Sequence, residues 1–301
     1  MASPQTGIFA LGTAAHAYLE FDVLASANGP AAVANVARLR EPRTTIGGVN
    51  LVAGFRPELW AIVAPDAAPA GVAGFNEPIA GAGVAAADLP ATQHDIVIWL
   101  AGASYDVVFD TSRSIVAELM GQARLANEIV GWQYHHDRDL TGFEDGSENP
   151  STVEATSVAL VPPGLPGEGG SVLLLQQWRH DAISWEVLPV ATQEAIIGRT
   201  KPDSIELDPK PPTSHVARTD QDRFGKIFRR NVAYGTVSDH GTIFVGFCAS
   251  QDPLRLMLES MVGRGSEPPD QLTSVARAVT GAYYVIPSAD RLAAFGAEDR
   301  A

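Results

Sequence analysis

The chain has 301 residues, of which 46% are apolar and 19% are charged, a balance typical of one large or two ordinary globular domains. Its formal net charge of −14 argues against binding to nucleic acids or anionic membranes, because both require basic patches. No apolar run reaches the roughly 20 residues that span a bilayer. A single cysteine excludes an intrachain disulfide, and the N-terminus resembles no secretion signal, so we expect a cytoplasmic protein.

Apolar patterns typical of strands and helices alternate through the first half of the chain. They predict strands at 16–25, 51–55, 95–104 and 125–134. They predict helices at 29–41 and 112–123. The Ala/Gly/Pro-rich stretch at 64–90 predicts a long surface loop.

The second half repeats this organisation after a second Gly/Pro-rich loop at 161–170. The patterns predict strands at 171–178, 226–234, 241–250 and 281–287, and a helix at 252–263. IVIWLAGAS in the first half and TIFVGFCAS in the second are similar apolar runs that end in small residues before a helix. This similarity indicates two α+β halves of like topology. We place the boundary between residues 138 and 139, which gives domains 1–138 and 139–301.

The common motifs of metal and nucleotide chemistry are missing from the sequence. It contains no CxxC pair, no HExxH, no GxxxxGK[ST] and no GxSxG. Cys248 lies inside an apolar strand pattern, which favours a packing role over a nucleophilic one.

The stretch TGFEDGSENP at 141–150 predicts a turn that carries three acidic residues. One interpretation is a solvated acidic loop. The other is that the two glycines let the backbone bend against a ligand and direct one carboxylate inward.

His215 stands apart from the other histidines because it follows a rigid Pro-Pro pair, in KPPTSHVART. Considered alone, a structural histidine remains the simpler interpretation.

Five stretches, in this order, resemble the dye-decolorizing peroxidases: PQTGIFALGT…HAYLEFD, GFEDG, EAIIGRTKPDSIEL, PPTSHVARTD and IFRRNVAYG. The resemblance covers nearly the whole chain. The compact length of the chain and the lack of an export signal are most similar to the B-type branch of the family. That family belongs to the dimeric α+β barrel superfamily. The resemblance therefore implies an α+β fold of two ferredoxin-like domains with antiparallel sheets and peripheral helices, the C-terminal one binding haem.

The resemblance also implies one haem b per chain, with His215 as the axial ligand of the iron. Asp270, in EPPDQLTSVAR, matches the carboxylate that accepts the other ring N–H of such a histidine. Arg199 is a candidate partner for a haem propionate, with a surface salt bridge as the alternative.

On the other side of the haem, the resemblance assigns Asp145, Arg229 and Asn231 to the peroxide pocket. Residues two apart on a strand share a face, so Arg229 and Asn231 should point into one pocket while Arg230 points away towards solvent. Asp145 would shuttle a proton of the peroxide, and Arg229 would stabilise the charge that develops as the O–O bond breaks.

The implied function is a haem peroxidase that reduces hydrogen peroxide via a ferryl intermediate and oxidises dyes, phenolics or other one-electron donors. The alternative is a haem-handling protein for storage, delivery or iron release, which would need His215 but not the distal residues. We expect a homo-oligomer, and no encapsulin-targeting tail is seen after the last predicted strand.

Overall fold

The computed structural model of the chain describes residues 2–39, 48–82, 88–135, 138–265 and 267–297. Its strands are β1 (Ala15–Val23), β2 (Val49–Phe55), β3 (Ile96–Gly102), β4 (Ala123–Trp132), β5 (Ser171–His180), β6 (Phe228–Arg229), β7 (Val232–Gly235), β8 (His240–Cys248), β9 (Ala276–Ala278) and β10 (Ala282–Ile286). Its helices are α1 (Gly29–Arg38), α2 (Pro57–Val63), α3 (Tyr105–Leu119), α4 (Thr152–Ala159), α5 (Ala182–Glu186), α6 (Val190–Ile197), α7 (His215–Arg218), α8 (Gln221–Phe224), α9 (Asp252–Met261) and α10 (Ala289–Ala297). Short 3₁₀ helices cover Thr6–Phe9, Pro65–Ala67 and Gln271–Ser274. Within these ranges, none of the helices has the length and apolar character that crossing a membrane demands.

The strands close into a barrel. Their order in the sheet is β6-β8-β7-β4-β1-β3-β2-β10-β5-β9, and a further pairing of β8 with β5 joins the two ends. Eight strands, β8, β7, β4, β1, β3, β2, β10 and β5, therefore form a closed antiparallel ring. All pairings in the ring are antiparallel.

Each half of the chain contributes four neighbouring strands to this ring, in the same order. The first half supplies β4-β1-β3-β2 and the second half β10-β5-β8-β7. If the four ring strands of each half are numbered in chain order, both halves have the order 4-1-3-2 in the sheet. This is the strand order of a ferredoxin-like unit. The two similar sequences IVIWLAGAS and TIFVGFCAS form β3 and β8, the third strand of each half. The predicted α+β fold class is confirmed; the boundary at 138/139 stays a prediction.

Side chains fill the barrel and also pack against its outside. The interior cluster includes Tyr18, Trp99, Leu173 and Phe247, all of them buried. A second cluster lies between the first half of the ring and helices α1, α2 and α3. A third lies between the second half and helix α9, and a cavity opens beside it.

Helix α3 differs from its prediction. We expected a helix at 112–123, but α3 begins at Tyr105 and ends at Leu119. Its buried residues, from Val108 to Leu119, follow helical spacing, so the helix starts seven residues earlier than the sequence pattern indicated. The chain then turns at Gly121, whose φ of +94° only glycine adopts readily, and β4 begins.

Three sequence expectations extend beyond the described residues. The loop expected at 64–90 includes residues 83–87, which lie outside them. The end of the helix expected at 29–41 lies partly outside them, although α1 accounts for its beginning. The final residues, 298–301, on which the expectation about a targeting tail depends, are also outside.

Candidate active site

A cavity of about 240 Å³ lies on the outer face of the barrel, between the second half of the sheet and helices α7, α8 and α9. Strand alternation explains its sheet wall, because Leu173 of β5 faces the barrel interior while Leu174 faces the cavity. The apolar lining includes Leu174, Ile227, Phe244, Leu254, Met257, Leu258, Met261 and Leu272. Charged groups also line it, among them Glu148, Arg199, Glu206, Lys210 and Asp220. The cavity suits a largely apolar ligand with charged substituents.

His215 is the first residue of α7, and its side chain enters the cavity from the helical wall. Its Nδ1 lies 2.7 Å from Oδ2 of Asp270, whose side chain is fully buried. A carboxylate can only accept, so Nδ1 carries the proton of this bond, and in the neutral form of the ring Nε2 has a free lone pair. The other oxygen, Oδ1, accepts from the backbone N–H of Leu272 at 2.9 Å, which fixes the carboxylate in place. The ring is thus oriented as a metal-binding histidine would be.

Asp145 and Arg229 meet at the same cavity. Asp145 lies in the turn between Gly142 and Gly146, whose φ values of +87° and +83° require glycine. Its Oδ1 is 3.7 Å from Nη1 of Arg229, which projects from the sheet wall on β6. This geometry supports the second interpretation of TGFEDGSENP, in which the bent turn directs one carboxylate inward.

The pKa of the Asp145 carboxyl is raised by burial, and the charge of Asp139 adds to this effect. The charge of Arg229 and a hydrogen bond from Asn231 act in the opposite direction without cancelling it. About 20% of the Asp145 side chain is exposed, on the side that faces the cavity. Protein atoms surround the rest of the carboxylate, and these atoms cause the burial that raises its pKa. A carboxyl with a raised pKa can both accept and return a proton.

Asn231 orients Asp145 and also explains why a predicted strand is broken. We expected one strand at 226–234, but the chain forms β6 and β7 with an interruption at residues 230 and 231. The register with β8 is unchanged across it. The N–H of Val245 donates to Oδ1 of Asn231 at 2.9 Å, so this side chain acts as an acceptor for the neighbouring strand. Its Nδ2 is then free to donate to Asp145.

The alternation expected for residues 229 to 231 is observed. Arg229 and Asn231 line the cavity, whereas Arg230 points away from it. The expectation that Arg230 faces solvent is wrong. Its guanidinium donates to the carbonyl oxygens of Ile8 at 2.9 Å and Ala10 at 2.5 Å, and it lies 5.2 Å from the ring centroid of Trp99. The fold of the N-terminal segment over the barrel, which the local sequence does not encode, brings these partners to it.

Arg199 lines the cavity and is paired with carboxylates. It forms ion pairs with Glu148 and, at 2.7 Å, with Glu206, and its Nη1 donates to the carbonyl oxygen of Ser204 at 2.6 Å. The sequence left a propionate contact and a surface salt bridge as alternatives; the ion pairs are present, but Arg199 is buried at the cavity rather than at the surface. A contact with a haem propionate stays a prediction.

Sequence reasoning missed a polar cluster that also lines the cavity. Thr242 donates from Oγ1 to Asp139, and the same oxygen lies 3.3 Å from Nε2 of His180. Asp139 precedes the GFEDG turn by only a few residues, but nothing in the local pattern distinguishes it from a surface acid. Its contacts depend on β5 and β8, far away in the sequence.

Comparison with known proteins places these features in a family. The family model described as "Dyp-type peroxidase, C-terminal" matches residues 136–291. A dye-decolorizing peroxidase of Brevibacterium linens is 32% identical over 270 residues, which cover 86% of this chain and 72% of that protein. One from Rhodococcus erythropolis is 33% identical over 260 residues, covering 83% and 75%.

Solved structures agree with the sequence comparisons. A dye-decolorizing protein from V. cholerae has a TM-score of 0.87 at 31% identity and covers 96% of this chain and 99% of that one. A DypB variant from Rhodococcus jostii RHA1, in complex with haem, has a TM-score of 0.86 at 30% identity, with coverage of 94% and 96%. With the cavity, the His215–Asp270 pair and the Asp145–Arg229 pair, these matches establish that the chain belongs to the Dyp-type peroxidase family.

Proposed function

We propose that this chain is a haem-dependent peroxidase that reduces hydrogen peroxide with electrons from dyes, phenolics or other small one-electron donors. The observation that carries the proposal is the position of His215 on the helical wall of a cavity whose sheet wall carries Arg229 and Asn231. Relatives named dye-decolorizing peroxidases and a related structure in complex with haem support it.

The residues around the cavity fit haem. The broad apolar lining suits a porphyrin, and the free Nε2 of His215 provides a neutral imidazole ligand for its iron. Arg199 and Lys210 at the same cavity are cations that could meet the propionates, although each is paired with carboxylates here. We infer that one haem b per chain is held through His215, with Asp270 as the partner of that histidine.

When bound, the haem would supply the redox-active iron at which the O–O bond of the peroxide is broken. The protein's own contribution is to move a proton and stabilise charge. Asp145 would accept the proton from one peroxide oxygen and return it to the other. Arg229, permanently cationic, would stabilise the negative charge on the departing oxygen. Asn231 would hold the Asp145 carboxylate through its amide, and Asp270 would keep Nδ1 of His215 protonated and Nε2 available.

The test is to purify the protein with haem and to measure its absorbance before and after one equivalent of hydrogen peroxide. We expect a Soret band that changes on peroxide addition and returns when a phenol or an anthraquinone dye is added, with oxidation of the donor. A double variant, Asp145→Asn with Arg229→Leu, is the control, because it should bind haem and react slowly. A protein that binds haem but leaves peroxide and donor unchanged would instead indicate the haem-handling alternative. The expected homo-oligomer and cytoplasmic location stay predictions.

A further inference from the structure

The outer edge of β6 is covered by a side chain rather than by another strand. β6 pairs with β8 on one side only, with Arg229 opposite Gly246. On its other side, Nδ2 of Asn149 donates to the carbonyl oxygen of Arg229 at 2.9 Å, and Oδ1 of Asn149 accepts from the N–H of Arg229 at 2.8 Å. The carboxamide of Asn149 thus makes both bonds that a neighbouring strand would make to this residue.

The same loop places Asn149 close to Asp145. The N–H of Asn149 donates to the carbonyl oxygen of Gly146 at 2.8 Å, which closes a tight turn just after Asp145. A Cβ at Gly146 would lie 3.1 Å from Nδ2 of Asn149. The second glycine of GFEDG therefore serves two purposes, since it adopts a φ of +83° and leaves room for this carboxamide.

A second carboxamide connects the loop to the residues just before Arg229. Nε2 of Gln221 donates to the carbonyl oxygen of Glu148 at 3.0 Å, and its Oε1 accepts from the N–H of Ile227 at 3.1 Å. In the part of the chain that the structure describes, no backbone-to-backbone hydrogen bond joins this loop to β6. The two amide side chains make the connection instead.

The guanidinium of Arg229 has little else to hold it. Its Nε is buried and has no hydrogen-bond partner among the described residues, and its ion pair with Asp145 spans 3.7 Å. Because the guanidinium has so few contacts of its own, the position of the Arg229 backbone determines where its positive charge lies.

We propose that Asn149 is a positioning residue for the peroxide reaction: it fixes the backbone of Arg229 to the loop that carries Asp145 and so sets the separation of the two distal groups. This inference rests on the proposed function for its catalytic consequence. Its structural part, the bond to the backbone of Arg229, does not depend on haem.

The first measurement is hydrogen exchange at the backbone amide of Arg229, in protein without haem. In Asn149→Ala this amide should exchange about tenfold faster or more than in the wild type, because the hydrogen bond that it donates to Asn149 is lost. In Gln221→Ala the faster exchange should appear at Ile227 and to a lesser degree at Arg229. Unchanged exchange at Arg229 in Asn149→Ala would overturn the proposal.

The second measurement is the rate of the ferric holoprotein with hydrogen peroxide as a function of pH. We expect Asn149→Ala to be slower by roughly 10- to 100-fold, as for a displaced catalytic group. The charged groups that act on Asp145 are Arg229, which lowers the pKa of its carboxyl, and Asp139, which raises it. If Arg229 moves away, the pKa of Asp145 rises, so the acid limb of the rate profile should move to higher pH. A slower rate with an unmoved acid limb would mean that Asn149 is only structural.

Matched variants complete the design. Asn149→Asp keeps an acceptor for the Arg229 N–H at nearly the same volume, so exchange at this amide should stay slow. This variant replaces Asn149→Ala in the measurements if Asn149→Ala does not fold. Asn28→Ala removes another asparagine amide, one that caps α1 through the N–H of Ala31 at 2.7 Å, and should leave rate and acid limb unchanged. A wild-type protein that did not react with peroxide would refute the proposed function, while the exchange measurement would still decide the role of Asn149.

Discussion

Replacing Asp270 by asparagine should make the haem iron easier to reduce. Both oxygens of Asp270 are used, Oδ2 by His215 Nδ1 at 2.7 Å and Oδ1 by the N–H of Leu272 at 2.9 Å. Asparagine has a single acceptor oxygen, so it can satisfy only one of these two donors. In either arrangement His215 no longer faces a negative charge, and its imidazole becomes a weaker donor to iron.

The size of the effect follows from the role of such carboxylates in metal sites. Loss of a partner that orients a histidine ligand typically costs 10- to 100-fold in metal affinity. If this loss falls on ferric rather than ferrous iron, the one-electron potential rises by about 60–120 mV, at about 59 mV for each tenfold change. The direction is upward because the lost negative charge stabilised the more positive oxidation state.

Spectroelectrochemical titration of the holoprotein measures this directly. Asp181→Asn is the matched control, since Asp181 caps α5 by accepting from the N–H of Ser184 at 3.1 Å and does not line the cavity that His215 enters. Its potential should equal that of the wild type. A potential in Asp270→Asn that is unchanged or lower would refute the reasoning and show that another group controls the donor strength of His215.

The remaining predictions concern the other cavity residues. His215→Ala should abolish stable haem loading, measured as the ratio of Soret to protein absorbance; normal loading with an unchanged spectrum would assign the ligand to another residue. Arg229→Leu should slow the reaction with peroxide by about 100- to 1,000-fold in stopped-flow measurements, since one charge-stabilising donor is lost. Arg230→Leu should instead lower the free energy of unfolding by about 1.5–3 kcal/mol in denaturant titrations, because a charged donor to two backbone carbonyls is lost, and should change the peroxide rate less than Arg229→Leu does. Asp145→Asn should raise the melting temperature of the haem-free protein at neutral pH: a carboxyl whose pKa is raised by folding costs stability when ionised, so the gain should shrink as the pH falls through the carboxyl range, and a gain that grew on acidification would contradict this.

Short-range features of this site could be read from the sequence. The glycine-bracketed turn around Asp145 predicted an inward carboxylate as one of two interpretations, and strand alternation placed Arg229 and Asn231 on one face. Both depend on neighbouring residues only. The resemblance to a known family supplied His215 and Asp270 as a pair, and the structure places them 2.7 Å apart; their roles with haem stay predictions.

Contacts between distant segments could not be predicted in this way. Asn149 and Arg229 are 80 positions apart, and the carboxamide bonds between them leave no trace in either local pattern. Arg230 is bound by the carbonyl of Ile8, 222 positions away, so its exposure could not be judged from alternation. The break in the strand at Asn231 has a more local cause, because its side chain, 14 positions from Val245, takes the place of a backbone acceptor for β8.

The closed ring of strands has a consequence for fragments of the chain. The two halves meet where β4 pairs with β7, through Gly131–Tyr234 and Trp132–Ala233, and where β10 meets β2 at Val285–Phe55. Each half thus covers the outermost strands of the other. A strand without a neighbour presents unpaired N–H and C=O groups and tends to pair with another chain. If the chain were divided between residues 138 and 139, each piece would therefore have two unpaired edge strands. Co-expressed pieces would then pair with one another or with their own copies instead of remaining separate.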